Sequence, residues 1–437
     1  MIPQALLSAV LFLLAIPPLD WHLLMWLAWV PLIRGAARAP TRKAAALTGA
    51  AFGLLYYSFF FRWLLRLPLP IYAGVVLAAT LYGVYFAVAV HGVRGLPRWA
   101  RVALVPVLWT APLFIVDNPI RPFFGSLLLA GGVHSPLPLP LFQLARPLGE
   151  VGLMFFLLLV NAFLWQAFEE RARPRLAARF AGSAALLLIG AWIWGTRQVG
   201  AFLEAPTHPP FTVACAQHDM PFPWAWRDAH QEEIYKTYEV MAMEAAARGA
   251  NLVLFPQYQI PGDIFRHPEP WGAIARKAGV YMALGTYTPV KPMAYGKNSW
   301  VTALVFAPDG RLVGAQKALH PSPVGRSMVT AGDAAEAVDI PPLGKLAVLS
   351  CFDDVTPRAA RMFGPSHPDL FAANANDGPF KGTIQPRLHQ LRAQLRAVEN
   401  RTWVVRCTPN GISSAIDPLG RVRQTLPEGQ GLLFPEW

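Results

Sequence analysis

Hydrophobic positions are distributed very differently in the two halves of this chain. Before about residue 206, long apolar runs follow one another with short polar breaks; after it, short apolar stretches alternate with amphipathic ones. Runs of close to 20 apolar residues suit membrane-crossing helices, whereas short buried runs between amphipathic segments are typical of an α/β domain. We therefore predict a transmembrane domain over residues 1–203 and a soluble α/β domain over residues 204–437.

The apolar runs predict about seven helices in the first half. They lie at residues 5–17, 22–33, 44–65, 71–90, 102–116, 147–168 and 180–196. The first, second and fifth are shorter than the bilayer core requires, so we expect them to be tilted or re-entrant. The apolar, Pro- and Gly-rich loop over 117–146 is expected to lie as an arm at the membrane surface. Aromatic residues over 56–63 indicate a belt at the water interface more readily than a ligand cage.

Basic residues predict how these helices are oriented. They are concentrated in the even-numbered loops, as Arg34, Arg38, Arg42, Lys43, Arg94, Arg98, Arg101, Arg171, Arg173, Arg175 and Arg179. Positive residues mark the cytoplasmic side, so the N-terminus is predicted in the cytoplasm and the soluble domain, after seven crossings, outside it. These clusters account for much of the net charge of +12. Because they lie between apolar runs, they argue against a nucleic-acid partner.

The second half alternates strand and helix patterns. Strands are predicted at 211–217, 251–257, 280–288, 345–351 and 369–377, helices at 228–248, 270–279 and 384–400, and hairpins at 299–317 and 403–422. Pro308-Asp309-Gly310 marks the turn of the first hairpin. The alternation predicts one α/β domain.

Three residues at strand ends are candidates for chemistry. Cys351 follows an apolar strand and precedes polar residues, as does a nucleophile at a strand-to-helix turn, where a helix N-terminus would lower the thiol pKa. Lys317 ends a hairpin strand, and its ammonium would favour the thiolate and hold an oxyanion. Gln257 follows another strand; it can orient a substrate but cannot accept a proton. Each residue taken alone is also compatible with a purely structural role.

The remaining cysteines, Cys215 and Cys407, lie in apolar strands and are expected to be core thiols. Three scattered cysteines provide neither a disulfide framework nor a zinc site. We predict no metal and no cofactor.

The strand-end residues, in this order, resemble the Glu, Lys and Cys of the nitrilase superfamily. Together with the membrane half, the chain resembles the apolipoprotein N-acyltransferase family along nearly all of its length. The matching segments are QLARPLGEVGLMFFLLLVNAFL (143–164), KNS (297–299), Lys317, LSCFD (349–353), NAND (374–377), RAVENR (396–401) and NGISSAIDPLGRV (410–422).

The resemblance implies a multi-span α-helical membrane bundle joined to a nitrilase-like αββα sandwich. It implies a bacterial inner-membrane enzyme whose catalytic domain lies on the periplasmic side. Cys351 would take an acyl chain from a phospholipid as a thioester and pass it to the N-terminal amine of a lipoprotein. Lys317 would stabilise the oxyanion and thiolate, Gln257 would occupy the position of the general base, and Phe352, Asp353 and Arg326 would bind substrate.

The chain departs from the family pattern at several of these positions. Gln257 replaces the Glu of a WPE-type motif, Arg326 replaces the Glu after a VPFG-type loop, and Phe352-Asp353 replaces Tyr-Glu. The sequence reaches Trp437 soon after its last hairpin, and we expect it to lack the family's closing transmembrane helix.

The lost base leaves three interpretations open. The chain is an acyltransferase in which Asp263, Asp353 or His320 replaces the base. It is alternatively an impaired paralogue that binds lipoprotein or phospholipid without turnover. A third, less favoured interpretation is a membrane-tethered amidase or nitrile hydrolase.

Overall fold

The computed structural model describes residues 1–117, 139–203, 211–220, 229–257, 264, 267–289, 299–322 and 329–434. The chain forms two compact units, Met1–Leu203 and Glu204–Trp437. The helices of the first unit are α1 (Ile2–Ala15), α2 (Met25–Ala37), α3 (Arg42–Phe60), α4 (Leu69–Gly92), α5 (Arg98–Asp117), α6 (Leu139–Phe142), α7 (Ala145–Glu169) and α8 (Pro174–Leu203). Each predicted apolar run overlaps one of the longer helices.

By length and composition, α4, α7 and α8 are able to cross a membrane, and α1 and the segment His22–Ala37 are shorter apolar helices. Large apolar side chains project outward from α8, among them Leu186, which is 72% exposed. Such a surface is stable in lipid and unfavourable in water. The number and direction of crossings stay predictions, and residues 118–138 of the predicted surface arm lie outside the described residues.

Helices α3 and α4 pack with almost no space between their backbones. A Cβ atom added at Gly53 would lie 2.7 Å from the Cα of Thr80, and one at Gly49 would overlap the carbonyl of Gly83. Small residues spaced four apart allow such close approach. Because no hydrophobic driving force acts between helices in lipid, the van der Waals packing of such contacts stabilises the helix pair.

Charged side chains join three helix ends of the first unit. Glu169 at the end of α7 pairs with Arg34 of α2 at 3.0 Å, and Glu170 pairs with Arg98 of α5 at 2.5 Å. The second, fourth and sixth loops therefore meet at one end of the bundle. This is the arrangement that an alternating series of crossings requires.

The second unit contains twelve strands within the described residues. They are β1 (Val213–Gln217), β2 (Leu252–Leu254), β3 (Tyr281–Pro289), β4 (Ser299–Phe306), β5 (Leu312–Lys317), β6 (Val338–Ile340), β7 (Gly344–Ser350), β8 (Leu370–Asn374), β9 (Trp403–Cys407), β10 (Ser413–Ile416), β11 (Val422–Leu426) and β12 (Gly431–Leu433). The helices are α9 (Gln231–Ala247), α10 (Glu269–Ala278), α11 (Phe352–Val355), α12 (Pro357–Met362) and α13 (Gln385–Asn400).

These strands form two six-stranded mixed sheets, in the orders β12-β1-β2-β3-β4-β5 and β11-β10-β9-β8-β7-β6. The first is parallel at β1-β2-β3 and the second at β7-β8-β9. One apolar core contains residues of both sheets, and two further cores lie between the sheets and the helices. The unit is the predicted αββα sandwich.

Most predicted elements of this unit appear within a few residues of their expected bounds, and Cys215 and Cys407 are fully buried, as predicted. Strands β6 and β12, three residues each at sheet edges, were not predicted from the sequence. Strands this short carry too little alternation to stand out from loop sequence.

Candidate active site

Cys351 occupies a sharp turn between β7 and the four-residue helix α11. Its backbone has a φ of 50°, which is uncommon for a residue with a side chain. Its N–H donates to the carbonyl of Asn374 at 2.7 Å, and its side chain is half-buried. Strained backbone of this kind persists only where the surroundings hold it in place, and it is concentrated at functional sites.

The carboxylate of Asp353 holds this turn against the segment that carries Lys317. It accepts hydrogen bonds from the backbone N–H groups of Ser350 at 3.1 Å, Leu319 at 3.2 Å and His320 at 2.6 Å. Asp353 is fully buried. Its described contacts are those of a group that joins two loops, and the substrate-binding role implied by the resemblance stays a prediction. Leu319, two residues after Lys317, is thereby hydrogen-bonded to the turn that carries Cys351.

The ammonium of Lys317 lies over an aromatic ring. Its Nζ is 4.2 Å from the ring centroid of Trp300, which is within the range of a cation–π contact. Lys317 ends β5, and its Cα pairs with Thr302 of β4. Its one described ammonium contact is therefore this aromatic ring, near the end of β5.

Gln257 lies just beyond the end of β2 and is only 1% exposed. Its N–H donates to the carbonyl of Ala375 at 3.4 Å, and the side chain of the neighbouring Asn374 donates to Phe255 at 2.5 Å. These bonds join the two sheets at the carboxyl ends of β2 and β8. Cys351 is hydrogen-bonded to Asn374, and Asp353 is hydrogen-bonded to the segment that follows Lys317. The segments of all three predicted catalytic residues are therefore linked at this edge of the sandwich.

Several buried polar atoms at this edge have no hydrogen-bond partner among the described residues. They are Gln257 Oε1, Ser350 Oγ, Asn374 Oδ1 and Asn376 Nδ2. Buried polar atoms are nearly always paired, so a group of unpaired ones needs an explanation such as a ligand or water. The arrangement suits a site that binds polar atoms of a substrate.

The electrostatics of the thiol differ from the prediction. Burial raises the pKa of Cys351 to about 12; the negative charges of Asp377 and Asp354 add to the rise, while the backbone N–H of Asn376 and the charge of Arg406 oppose it. The pKa is therefore raised, not lowered as the sequence led us to expect, and the role of Lys317 as a stabiliser of the thiolate stays a prediction. Helix α11 has only four residues.

Comparison with known proteins matches both halves of the chain. A family described as "Carbon-nitrogen hydrolase" matches residues 212–436, and one described as "Apolipoprotein N-acyltransferase N-terminal domain" matches residues 8–163. The chain belongs to the apolipoprotein N-acyltransferase family. The resemblance drawn from the sequence is thereby confirmed.

Relatives in this family match the chain almost from end to end. The apolipoprotein N-acyltransferase of Geobacter metallireducens is 28% identical over 97% of this chain and 86% of its own. That of Azotobacter vinelandii is 29% identical over 98% and 87%, and that of Pseudomonas putida 27% identical over 99% and 90%. Among solved structures, an amidase from Nesterenkonia sp. AN1 is 18% identical over 52% of this chain and 93% of its own, with a TM-score of 0.45.

One substrate-binding residue that the family resemblance implied and one alternative base have no described position in this member of the apolipoprotein N-acyltransferase family. Arg326 and the alternative base Asp263 both lie outside the described residues. Phe352 begins α11 and is half-buried beside Cys351. His320 is 3% exposed, and its backbone N–H is held by Asp353. The catalytic and substrate-binding roles stay predictions.

Four charged residues behind Cys351 were missed in the sequence. Asp354, His389, Asp377 and Arg406 contact one another and are at most 4% exposed. Asp377 ends the NAND segment, so part of the signal was visible. His389 lies in the middle of α13, where a histidine in a helix with many polar residues gives no sign of burial.

Proposed function

We propose that this chain is a membrane-bound apolipoprotein N-acyltransferase that uses Cys351 as its nucleophile. The observation that carries the proposal is the strained, half-buried turn of Cys351, linked by hydrogen bonds to the segments of Gln257 and Lys317. The names of the relatives, which match nearly the whole chain, supply the reaction class. The acyl donor is then a phospholipid and the acceptor a lipoprotein.

The reaction divides into two transfers of the acyl group. In the first, the Cys351 sulfur attacks an ester carbonyl of the phospholipid. A carbon–sulfur bond forms, the bond to the glycerol oxygen breaks, and the thiol proton ends on the released hydroxyl group. In the second, the N-terminal amine of the lipoprotein attacks the thioester. A carbon–nitrogen bond forms, the carbon–sulfur bond breaks, and one amine proton returns to the sulfur.

This proton balance bears directly on the missing glutamate. A thiol with a pKa of about 12 is ionised to only about one part in 10⁵ at pH 7, so its proton has to leave as the sulfur attacks. Gln257 cannot take that proton, but the proton is needed again on the leaving oxygen. A water molecule passing it between the two would allow turnover without a carboxylate. General acid–base catalysis contributes about 10²–10⁴-fold, so we expect a slow enzyme.

The remaining roles follow from position. Lys317, held by Trp300 and by the Asp353 contacts of its segment, is suited to stabilise the oxyanion that forms on the acyl carbonyl. The unpaired oxygen of Gln257 is suited to orient a polar hydrogen of the substrate. The apolar helices and basic loops support a bacterial inner-membrane location, with the N-terminus inside and the catalytic unit on the periplasmic side.

The test is acyl transfer from a phospholipid that carries a radiolabelled acyl chain, using the purified full-length chain in detergent. We expect label on the wild-type protein that neutral hydroxylamine releases, as it does from thioesters, and none on Cys351→Ala. Adding a diacylated lipopeptide with a free N-terminal amine should move the label into an amide. Label that persists on Cys351→Ala would overturn the proposal. So would an unlabelled wild-type protein that still binds the lipopeptide, which would indicate a binding protein without turnover.

A further inference from the structure

The four charged side chains behind Cys351 form a closed ring of contacts. His389 Nε2 lies 2.5 Å from Asp354 Oδ1, and His389 Nδ1 lies 2.8 Å from Asp377 Oδ1. Arg406 closes the ring: Nη2 lies 2.8 Å from Asp377 Oδ2, and Nε lies 3.3 Å from Asp354 Oδ2. We call this set the charge ring.

The geometry requires an extra proton in the charge ring. A neutral imidazole has one N–H and one bare nitrogen, and the bare nitrogen would face a carboxylate oxygen across 2.8 Å or less. Both contacts are hydrogen bonds only if the ring holds one extra proton, either on the second nitrogen of His389 or on the facing carboxyl oxygen; the raised pKa of His389 assigns it to the imidazole. With Arg406, the ring then holds two positive and two negative charges. This balance matters because an uncompensated charge is very costly at a fully buried position.

The pKa values of His389 and Asp377 agree with two positive and two negative charges in the ring. Burial and Arg406 both lower the pKa of His389, but Asp354 and Asp377 raise it more, to about 9. The pKa of Asp377 is held below its ordinary value by Arg406 and His389, against the effect of burial.

The charge ring is connected to the nucleophile at two points. The N–H of Asp354 donates to the carbonyl of Cys351 at 3.1 Å. Asp377 directly follows Asn376, whose backbone N–H donates to the Cys351 sulfur. The ring therefore joins the turn that carries the sulfur to the loop that carries its hydrogen-bond donor.

We propose that the charge ring is a positioning device for Cys351, in which protonated His389 clamps Asp354 to Asp377 and keeps the charge behind the sulfur at zero. The clamp keeps the Asn376 N–H directed at the sulfur. The zero net charge avoids a negative field that would oppose formation of thiolate. The role in catalysis rests on the proposed function, whereas the effect on the thiol does not. His389 touches no reacting atom and is a positioning residue.

The net charge of the charge ring depends on pH. The charged groups around His389 are Asp354 from the nucleophile turn, Asp377 from the loop after β8 and Arg406 from β9; Asp353 and the Cys351 thiol lie next to them in the same turn. When His389 loses its proton, the ring gains a net charge of −1 and the clamp loses one hydrogen bond. Cys351 should then become harder to ionise.

The test is the rate of thiol alkylation by iodoacetamide against pH, measured on the purified full-length protein in detergent. Cys351→Ala gives the background from Cys215 and Cys407, both fully buried. For wild-type protein we expect the rate to rise less than tenfold per pH unit as the pH passes about 9, where His389 loses its proton. A tenfold rise per unit from pH 7 to pH 10 would overturn the proposal.

Two variants separate charge from structure. His389→Gln leaves the ring with a net charge of −1 at every pH, so we expect alkylation about tenfold slower at pH 8 and no change of slope near pH 9. The double variant His389→Gln, Asp354→Asn restores the balance and should recover most of the rate. Failure of the double variant to exceed the single one, with both folded, would reject the charge-balancing role. If His389→Gln does not fold, the wild-type pH profile decides.

Alkylation does not require acyl transfer, so the two proposals fail separately. A protein with the predicted alkylation profile and no labelled thioester would keep the charge ring and lose the acyltransferase. In an active enzyme, His389→Gln should lower kcat and leave KM for the lipopeptide unchanged, because the ring touches no substrate. A rise in KM alone would contradict a positioning role.

Discussion

The two sheets of the α/β unit hold their parts of the candidate site in different ways. The first sheet contributes Gln257, whose buried oxygen has no described partner, and Lys317, whose described ammonium contact is one aromatic ring. The second contributes Cys351, which is fixed by Asn374, by the Asp353 contacts and by the charge ring. The nucleophile is thus strongly constrained, while the groups that would assist it are loosely held.

This difference shows where the site can change without loss of fold. Replacing a residue of the second sheet leaves buried charges or N–H groups without partners, which costs a large share of the stability of a domain. Replacing the side chain at position 257 disturbs no described side-chain hydrogen bond. Gln257, which stands where the family pattern has Glu, therefore lies on the sheet whose site residues can be replaced with less loss of stability.

The largest expected effect comes from restoring the carboxylate on the tolerant side. Gln257→Glu keeps the shape of the side chain and adds a proton acceptor. Burial at this position would raise the pKa of the new carboxyl group toward neutral pH. We expect acyl transfer to increase by about 10²–10⁴-fold, with thioester formation measured from the labelled phospholipid. Gln257→Met is the matched control; it adds no base and also removes the oxygen proposed to orient the substrate, so its rate should lie below that of the wild type. Equal rates for all three proteins would show that no base acts from this position.

The residues at strand ends, which come from both sheets, were the easier ones to propose from sequence. Gln257 and Cys351 follow short apolar runs, which end where strands end, and Lys317 ends a predicted hairpin strand. Parallel strands of one sheet bring their carboxyl ends to one edge, but Gln257 and Cys351 follow strands of different sheets and Lys317 ends a strand that pairs antiparallel, so their meeting at one edge was not given by local sequence.

The constrained side depends on contacts that local sequence does not contain. The pairs of the charge ring are 12 to 52 residues apart along the chain, and no repeated spacing marks them. The resemblance implied that Asp353 binds substrate, which stays a prediction; the contacts that the sequence did not reveal are those its oxygens accept from residues more than 30 positions away. The thiol pKa was predicted in the wrong direction for the same reason, because burial is a property of the folded chain.

The next effect concerns stability on the constrained side. Arg406→Met removes a fully buried guanidinium and leaves Asp354 and Asp377 facing each other with only His389 between them. Removing one partner of a buried ion pair costs about 3–5 kcal/mol, and we expect that loss in the free energy of unfolding of the α/β unit. Arg311→Met breaks an exposed pair with Asp309 and should show no measurable change. If the free energy of unfolding of Arg406→Met fell no more than that of Arg311→Met, the charge ring would add no stability.

A smaller effect on stability is expected from pH alone. The pKa of His389 is raised from 6.5 to about 9 in the folded state, so its stabilising effect is complete below pH 6.5 and is lost as the pH rises through about 9. We expect the free energy of unfolding to fall by about 2 kcal/mol between pH 7 and pH 9, measured by denaturant titration. His389→Gln should lack most of this slope. An equal slope in both proteins would assign it to other groups, such as the Cys351 thiol, whose raised pKa acts in the same direction at higher pH.

The smallest effect is expected where the loosely held side is weakened further. Trp300→Leu removes the ring under the Lys317 ammonium, a contact worth about 0.5–1 kcal/mol at a half-exposed position. We therefore expect acyl transfer to fall about two- to fivefold, mainly in kcat, because Lys317 would more often point away from the oxyanion. Trp300→Phe keeps an aromatic face and should lie between the two. The stability of the α/β unit should change little in either variant. A loss of 10²-fold or more with normal stability would mean that Trp300 contacts the substrate itself and that the first sheet holds its side of the site more firmly than its described contacts indicate.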